Sequence, residues 1–162
     1  MTRPTVIDTW ETADRRQDLA VMRSLLAREV RLISPLTDAF AFEGPDEVMA
    51  VFESAFELLD DITIHKVTGA DQDWALHGKA TLGGHNLEEV RWLHLNDEGR
   101  IDEVTLFIRP LAAAAELLAR IGPKMAARGL MGKRSAGAAS FLAGMPAAQL
   151  RMAEGMIMPR LK

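Results

Sequence analysis

The 162-residue sequence contains no cysteine and no tyrosine. The first absence excludes a disulfide framework, a thiolate nucleophile and Cys-ligated zinc. The second removes one common general acid. Basic residues are not in excess: 19 Lys and Arg stand against 23 Asp and Glu, for a net charge of −4. A nucleic-acid footprint needs a basic face, so none is expected. No stretch of about 18 apolar residues occurs, so no membrane-spanning helix is expected. The first residues hold Asp8, Glu11, Asp14 and several arginines in place of an apolar leader segment. A signal peptide is therefore not expected, and the expectation is a soluble cytoplasmic protein.

What is present suits a packed core: 48% apolar and 26% charged residues. The stretch from Leu87 to Leu111 reads as two strands joined by the turn Asn96-Asp97-Glu98-Gly99. Glu89, Arg91, Leu93 and Leu95 alternate with Val90, Trp92 and His94, the period-2 pattern of a strand with two unlike faces. Ile101 to Ile108 is rich in β-branched and aromatic residues and reads as the returning strand. Pro110 ends it and can open a helix.

Upstream, Val6 to Arg28 reads as helix with a break at Arg15–Asp18, and Val30 to Ser34 as a short strand halted by Pro35. After a turn, Ala39 to Phe42 reads as a second short strand. Gly44-Pro45-Asp46 then opens a helix with Val48, Val51, Phe52, Ala55, Leu58 and Leu59 on one stripe, closed by Asp60-Asp61. Four strands, 62–68, 74–82, 87–95 and 101–108, form a meander. Leu111 to Arg128 is helical, residues 133–144 read as loose, and Pro146 to Met158 as a short methionine-rich helix. This is an α+β order: N-terminal helices packed on a strongly curved, mostly antiparallel sheet, a cone with a pocket between the layers, followed by a C-terminal helical extension. The division is a domain over 1–128 and a tail or lid over 129–162.

The runs VRLISPL, FEGPDEV and LNDEGRIDEVTLFIRPL, in this order and spacing, resemble the SnoaL-like / nuclear transport factor 2-like superfamily. The resemblance covers roughly residues 6–125 and implies the cone fold. It spans isomerases, cyclases, hydrolases, dehydratases and binding modules, so it leaves activity open. Ketosteroid isomerases of this type place an aspartate base where this chain has Ser34, a tyrosine where it has Trp10, and an aspartate where it has Arg91. Their apparatus is absent. The Asp–Arg–Asp set of limonene-epoxide hydrolase-like enzymes maps onto Glu89, Arg91 and Leu106, one acid short. SnoaL-like cyclases use an acid on the last strand, where this chain has Val104, Leu106 and Ile108.

Centring the hairpin turns on Asp71, on Gly84 and between Asp97 and Glu98 gives a register. It places His65 opposite His77, His77 opposite Arg91, Lys79 opposite Glu89, Arg91 opposite Val104 and Glu89 opposite Leu106. One face then carries His65, His77, Lys79, Glu89, Arg91, Leu93, Val104, Leu106 and Ile108, and the resemblance assigns it to the pocket. The other carries Trp74, Leu76, Ala80, Val90, Trp92, His94 and Phe107, which relatives use for dimerisation. Such an apolar outer face calls for a cover. A slip of one residue exchanges the faces.

The candidate catalytic set is His77 and Glu89 as acid or base, with Arg91 binding a carboxylate or enolate oxygen. The competing reading, which the pattern favours, is a Lys79–Glu89 ladder on a solvated face. The ligand-binding candidates are Trp10, Ser34, Phe52, Phe56, Leu93, Val104, Leu106 and Ile108, with a core role weighing equally for the aromatic ones. His65 and His77 alone are a weak metal signal, so no metal and no cofactor are expected. Asp8, Glu11, Asp14 and Arg15 read as a solvated helix face. The leading expectation is a small-molecule-binding domain with an apolar pocket and a polar Arg/Glu end. The alternatives are an isomerase, cyclase or hydrolase-type enzyme on a hydrophobic metabolite, and a dimeric interaction module. The partners expected are a small hydrophobic ligand and a second copy of the chain.

Overall fold

The structure is a computed structural model that describes residues 2–35, 40–130, 146, 148–152 and 156. Two short helices lead: α1 (Thr5–Arg15) and α2 (Leu19–Ser24). The break between them falls where the charged run places it. Gln17 takes a positive φ of 54°, and the Asp18 side chain caps α2 by accepting from the Val21 amide at 3.1 Å. Helix does not continue to Arg28. Strand β1 (Leu26–Ile33) begins at Leu26, because Leu26, Ala27, Val30 and Leu32 bury against the sheet and core.

Next come β2 (Phe42–Glu43) and α3 (Gly44–Phe56). The turn at 36–38 and Ala39 lie outside the described residues. Gly44 has φ 77°, and the Glu47 carboxylate accepts from the Glu43 amide at 2.9 Å, fixing the start of α3. Val48, Met49, Val51 and Phe52 face inward from this helix. Asp60 and Asp61 do not terminate a helix. They belong to β3 (Leu59–Ala70), with Asp60 paired to Thr81 and a bulge following. Then come β4 (Asp73–Leu82), β5 (His85–Leu95), β6 (Ile101–Arg109) and α4 (Leu111–Ala127). His85 opens β5 opposite Leu82. Pro110 is the N-cap residue of α4.

The strands form one six-stranded curved sheet in the order β2-β1-β6-β5-β4-β3. The β1–β6 pair is parallel and all others are antiparallel. The helices pack on the inner face, so the architecture is the α+β cone expected. The core fills that concavity with Ile7, Trp10, Met22, Leu32, Val48, Leu76, Leu93, Ile101 and Val104, all at most 1% exposed.

The register differs from expectation in an instructive way. On β4–β5, Leu76 pairs with Arg91, His77 with Val90, Gly78 with Glu89 and Lys79 with Glu88. This is a shift of one residue from the expected pairing, so β4 turns over. Trp74, Leu76 and Ala80 face the core, at 6%, 1% and 4% exposure, while His77 and Lys79 face out. The physical cause is the turn. Gly83 and Gly84 both have positive φ, 57° and 81°, making a two-residue hairpin loop centred between them. On β5–β6, Arg91 pairs with Leu106 and Leu93 with Val104. This shift is of two residues, so Glu89, Arg91, Leu93, Val104, Leu106 and Ile108 keep the shared inner face.

Candidate functional site

A cavity of about 260 Å³ lies between α3, α4 and the inner face of the sheet. Val51, Phe52, Ala55 and Phe56 come to it from α3, and Leu117, Leu118, Ile121, Gly122 and Met125 from α4. Leu106 and Ile108 form its floor on β6, while Ser34, Pro35, Phe40 and Phe42 line it from the β1–β2 segment. Glu89 and Arg91 are the charged residues among the described lining.

Of the residues the sequence singles out, the cavity gathers Ser34, Phe52, Phe56, Glu89, Arg91, Leu106 and Ile108. Trp10, Leu93 and Val104 are fully buried but lie outside the lining. Trp10 is a core residue that meets Phe52 edge-on at 5.5 Å. His77 is not part of the cluster. It sits on the opposite face, 3.7 Å from the Glu88 carboxylate, with Lys79 at 3.5 Å and Arg109 at 3.1 Å from the same acid. The expected charge ladder therefore exists on the outer face, but its acid is Glu88. His65 and His77 stand side by side with ring centroids 6.2 Å apart. No group of three or more metal-ligating side chains occurs among the described residues.

Bound to Arg91, outside the cavity lining, is a residue that the sequence reading assigned to solvent. Asp14 is fully buried and ion-pairs with Arg91 through Nη1, while Nη2 of Arg91 pairs with Glu89. Arg91 is 3% and Glu89 8% exposed, and the guanidinium carbon lies 5.7 Å from the Phe52 ring centre. The outward face of α1 is a separate charged stripe. Asp8 and Glu11 bind Arg3, and Glu11 also binds Arg15 at 2.7 Å. The signal that distinguishes Asp14 was present: Ile7, Trp10 and Asp14 are spaced three and four apart, the repeat of a buried helix face.

Two consequences follow for the chemistry. Both terminal nitrogens of Arg91 are engaged by carboxylates, so the guanidinium is not a vacant anion receptor. One guanidinium can balance only one carboxylate, so the cluster holds an acid in excess. Burial pushes the Glu89 carboxyl up to about 7 and draws Arg91 down to about 10. Glu89 is the acid of the cluster that borders the cavity. Gly78 is paired across from Glu89, and a Cβ there would stand in ordinary contact with Oε1 of Glu89, at 3.6 Å, and tightly against the Thr63 carbonyl oxygen, at 3.1 Å.

Comparison with known proteins agrees with this architecture. The fold is shared with a protein conserved in bacteria, of cystatin-like fold, from Silicibacter pomeroyi (TM-score 0.68, 23% identity, covering 80% of this chain and 89% of that one). It is shared with a steroid delta-isomerase from Pseudomonas aeruginosa (TM-score 0.70, 20% identity, 78% and 93% covered). It is shared too with a nuclear transport factor 2-like protein of unknown function from Cytophaga hutchinsonii (TM-score 0.54, 17% identity, 67% and 94% covered). At these identities the likeness concerns the fold. No curated protein matches the sequence. The sequence profile of the SnoaL-like domain matches residues 6–104, from α1 into β6. The strand-proline, the helix opening at Gly44 and the final hairpin occur in one curved sheet under its helices, and the chain belongs to the SnoaL-like domain family.

Proposed function

We propose that this chain binds a small apolar molecule in the cavity between α3, α4 and the sheet, with the Asp14–Arg91–Glu89 cluster at the polar end of the site. The observation that carries this reading is the combination of an apolar hollow with a buried, charged end. A charged triad is costly to bury and contributes little stability relative to an apolar filling, which favours a recognition role. The volume, about 260 Å³, falls just under the roughly 300–1,000 Å³ of drug-sized sites and suits a compact ligand.

The test is a thermal-shift screen of small apolar compounds on the natural chain and on Ala55→Phe, which fills the cavity from α3. The natural chain is expected to be stabilised by one or more compounds. The variant is expected to keep its circular dichroism spectrum and lose the response. A response that persists unchanged in Ala55→Phe places the binding elsewhere and removes the reading.

A second reading is an isomerase, cyclase or hydrolase-type enzyme on a hydrophobic metabolite. It is favoured by one observation: the buried Glu89 carboxyl titrates near neutrality, where a general acid or base works best. In that reading Glu89 transfers the proton and Arg91, held by Asp14, positions it; His77 has no part because it faces away. A third element is assembly. Trp92 and Phe107, 45% and 55% exposed on the outer sheet face, are the surface through which we propose a homodimer forms.

A further inference from the structure

The ligand's charge can be read from the same cavity, and this step rests on the ligand-binding reading above. We propose that the cavity takes a small apolar amine, bound as its ammonium ion against Glu89.

The argument begins with what the cluster cannot hold. A carboxylate or phosphate ligand would have to share a guanidinium whose terminal nitrogens already face Asp14 on one side and Glu89 on the other; the Nε–H of Arg91 has no partner among the described residues, but it adds no further charge. An anion would add a third negative group to a single buried guanidinium. Such an excess is among the most expensive arrangements a protein interior can contain. Neither Asp14 oxygen has a hydrogen-bonding partner among the described residues beyond its ion pair with Arg91. Nothing described therefore supplies a second positive charge.

The elements around Glu89 bear this out. Gly78 lies opposite it on β4 and Ile108 on β6. The lining from α3 and α4 is uncharged, and α1 brings another acid, Asp14. A ligand cation is the group that completes the balance, two positive against two negative. The aromatic wall is compatible with it: Phe52 already receives the Arg91 guanidinium over its ring, and Phe56 stands beside it with centroids 6.1 Å apart. The hydrocarbon part of the amine would occupy the apolar remainder. Without ligand, burial keeps the proton on the Glu89 carboxyl up to about pH 7. An arriving ammonium displaces that proton, so binding weakens as the pH falls below 7.

The experiment compares three compounds of one shape on the full chain by titration calorimetry: cyclohexylmethylamine, cyclohexylmethanol and cyclohexanecarboxylate. An alkylamine resembles the lysine side chain and is an ammonium at pH 6 to 8. The expected result at pH 8 is at least about tenfold tighter binding of the amine than of the other two, with up to about tenfold loss per pH unit below 7. Glu89→Gln is expected to retain the alcohol and lose the preference for the amine. A second measurement needs no variant: amine binding at pH 7, repeated in phosphate and in Tris, should report release of a fraction of a proton. The alcohol or carboxylate binding as tightly as the amine, or amine binding without proton release, overturns the inference and leaves the ligand-binding reading standing. Failure of all three compounds to bind removes both.

Discussion

Asp14 follows Ile7 by seven positions and Trp10 by four, and this spacing turns its carboxylate inward while Glu11 and Arg15 point to solvent. A buried acid on that stripe obliges a buried cation, and Arg91 on β5 supplies it. Glu89 shares that same guanidinium. The consequence for stability follows from linkage. Its carboxyl titrates at about 7 in the folded chain against an ordinary value of 4.5. The folded state therefore holds more protons than the unfolded state between these values. Stability is highest below pH 4.5 as far as Glu89 is concerned, falls as the pH rises through the window and levels off above 7, by up to about 3 kcal/mol. Urea unfolding at pH 5 and pH 8 should show this fall, and Glu89→Gln should remove most of it. An unchanged pH dependence in that variant would mean that the proton resides on another group. The pairing of Glu89 and Arg91 on one inner face is legible in the alternation along β5. The inclusion of Asp14 is legible only when helical phase is given priority over the run of charges around it.

At the scale of elements, hairpin geometry decides which side chains meet. The Leu82–His85 connection has two glycines with positive φ, and this two-residue turn sets the β4–β5 register. Gly83 carries a second constraint: a Cβ there would stand 2.8 Å from the Arg120 guanidinium of α4. Gly83→Ala should therefore cost about 1–2 kcal/mol, from the left-handed backbone and from displacement of Arg120. Thermal unfolding followed by circular dichroism would measure it. A loss below about 0.3 kcal/mol would mean that the turn relaxes freely. The identity of β4 as a strand was readable from its sequence, but its facing was not. His77, Lys79 and Glu89 are all polar, and pattern alone allowed them one face. Burial of Trp74 and Leu76 set the alternative, because two large apolar side chains gain more from the core than His77 and Lys79 lose by facing solvent. The two-residue shift on β5–β6, by contrast, left the faces intact.

At the scale of the whole molecule, the outer sheet face remains apolar around Trp92 and Phe107, ringed by the Glu88 ion pairs and by His94, whose Nδ1 lies 2.7 Å from Asp102. The homodimer proposed above would use Trp92 and Phe107 as its apolar centre and these charged groups as its polar rim. Sedimentation at micromolar concentration should show a dimer for the natural chain and a monomer for Trp92→Glu with Phe107→Glu, the fold being retained in both. A natural chain that sediments as a monomer would remove the proposed assembly. At the tail, Arg151 pairs with Glu116 of α4, the helix that lines the cavity. By itself, the sequence determined the order of helices and strands, the curved α+β class, the absence of thiol chemistry and the inward alternation of Glu89 and Arg91. Each of these is local, set by side-chain period, turn chemistry or composition. Only the tertiary structure decided that β4 shows its tryptophan to the core and its histidine to solvent, and that two carboxylates compete for one guanidinium at the end of a hollow. Those facts depend on hairpin register and on contacts between residues 77 positions apart in the chain, Asp14 and Arg91, which local periodicity does not encode.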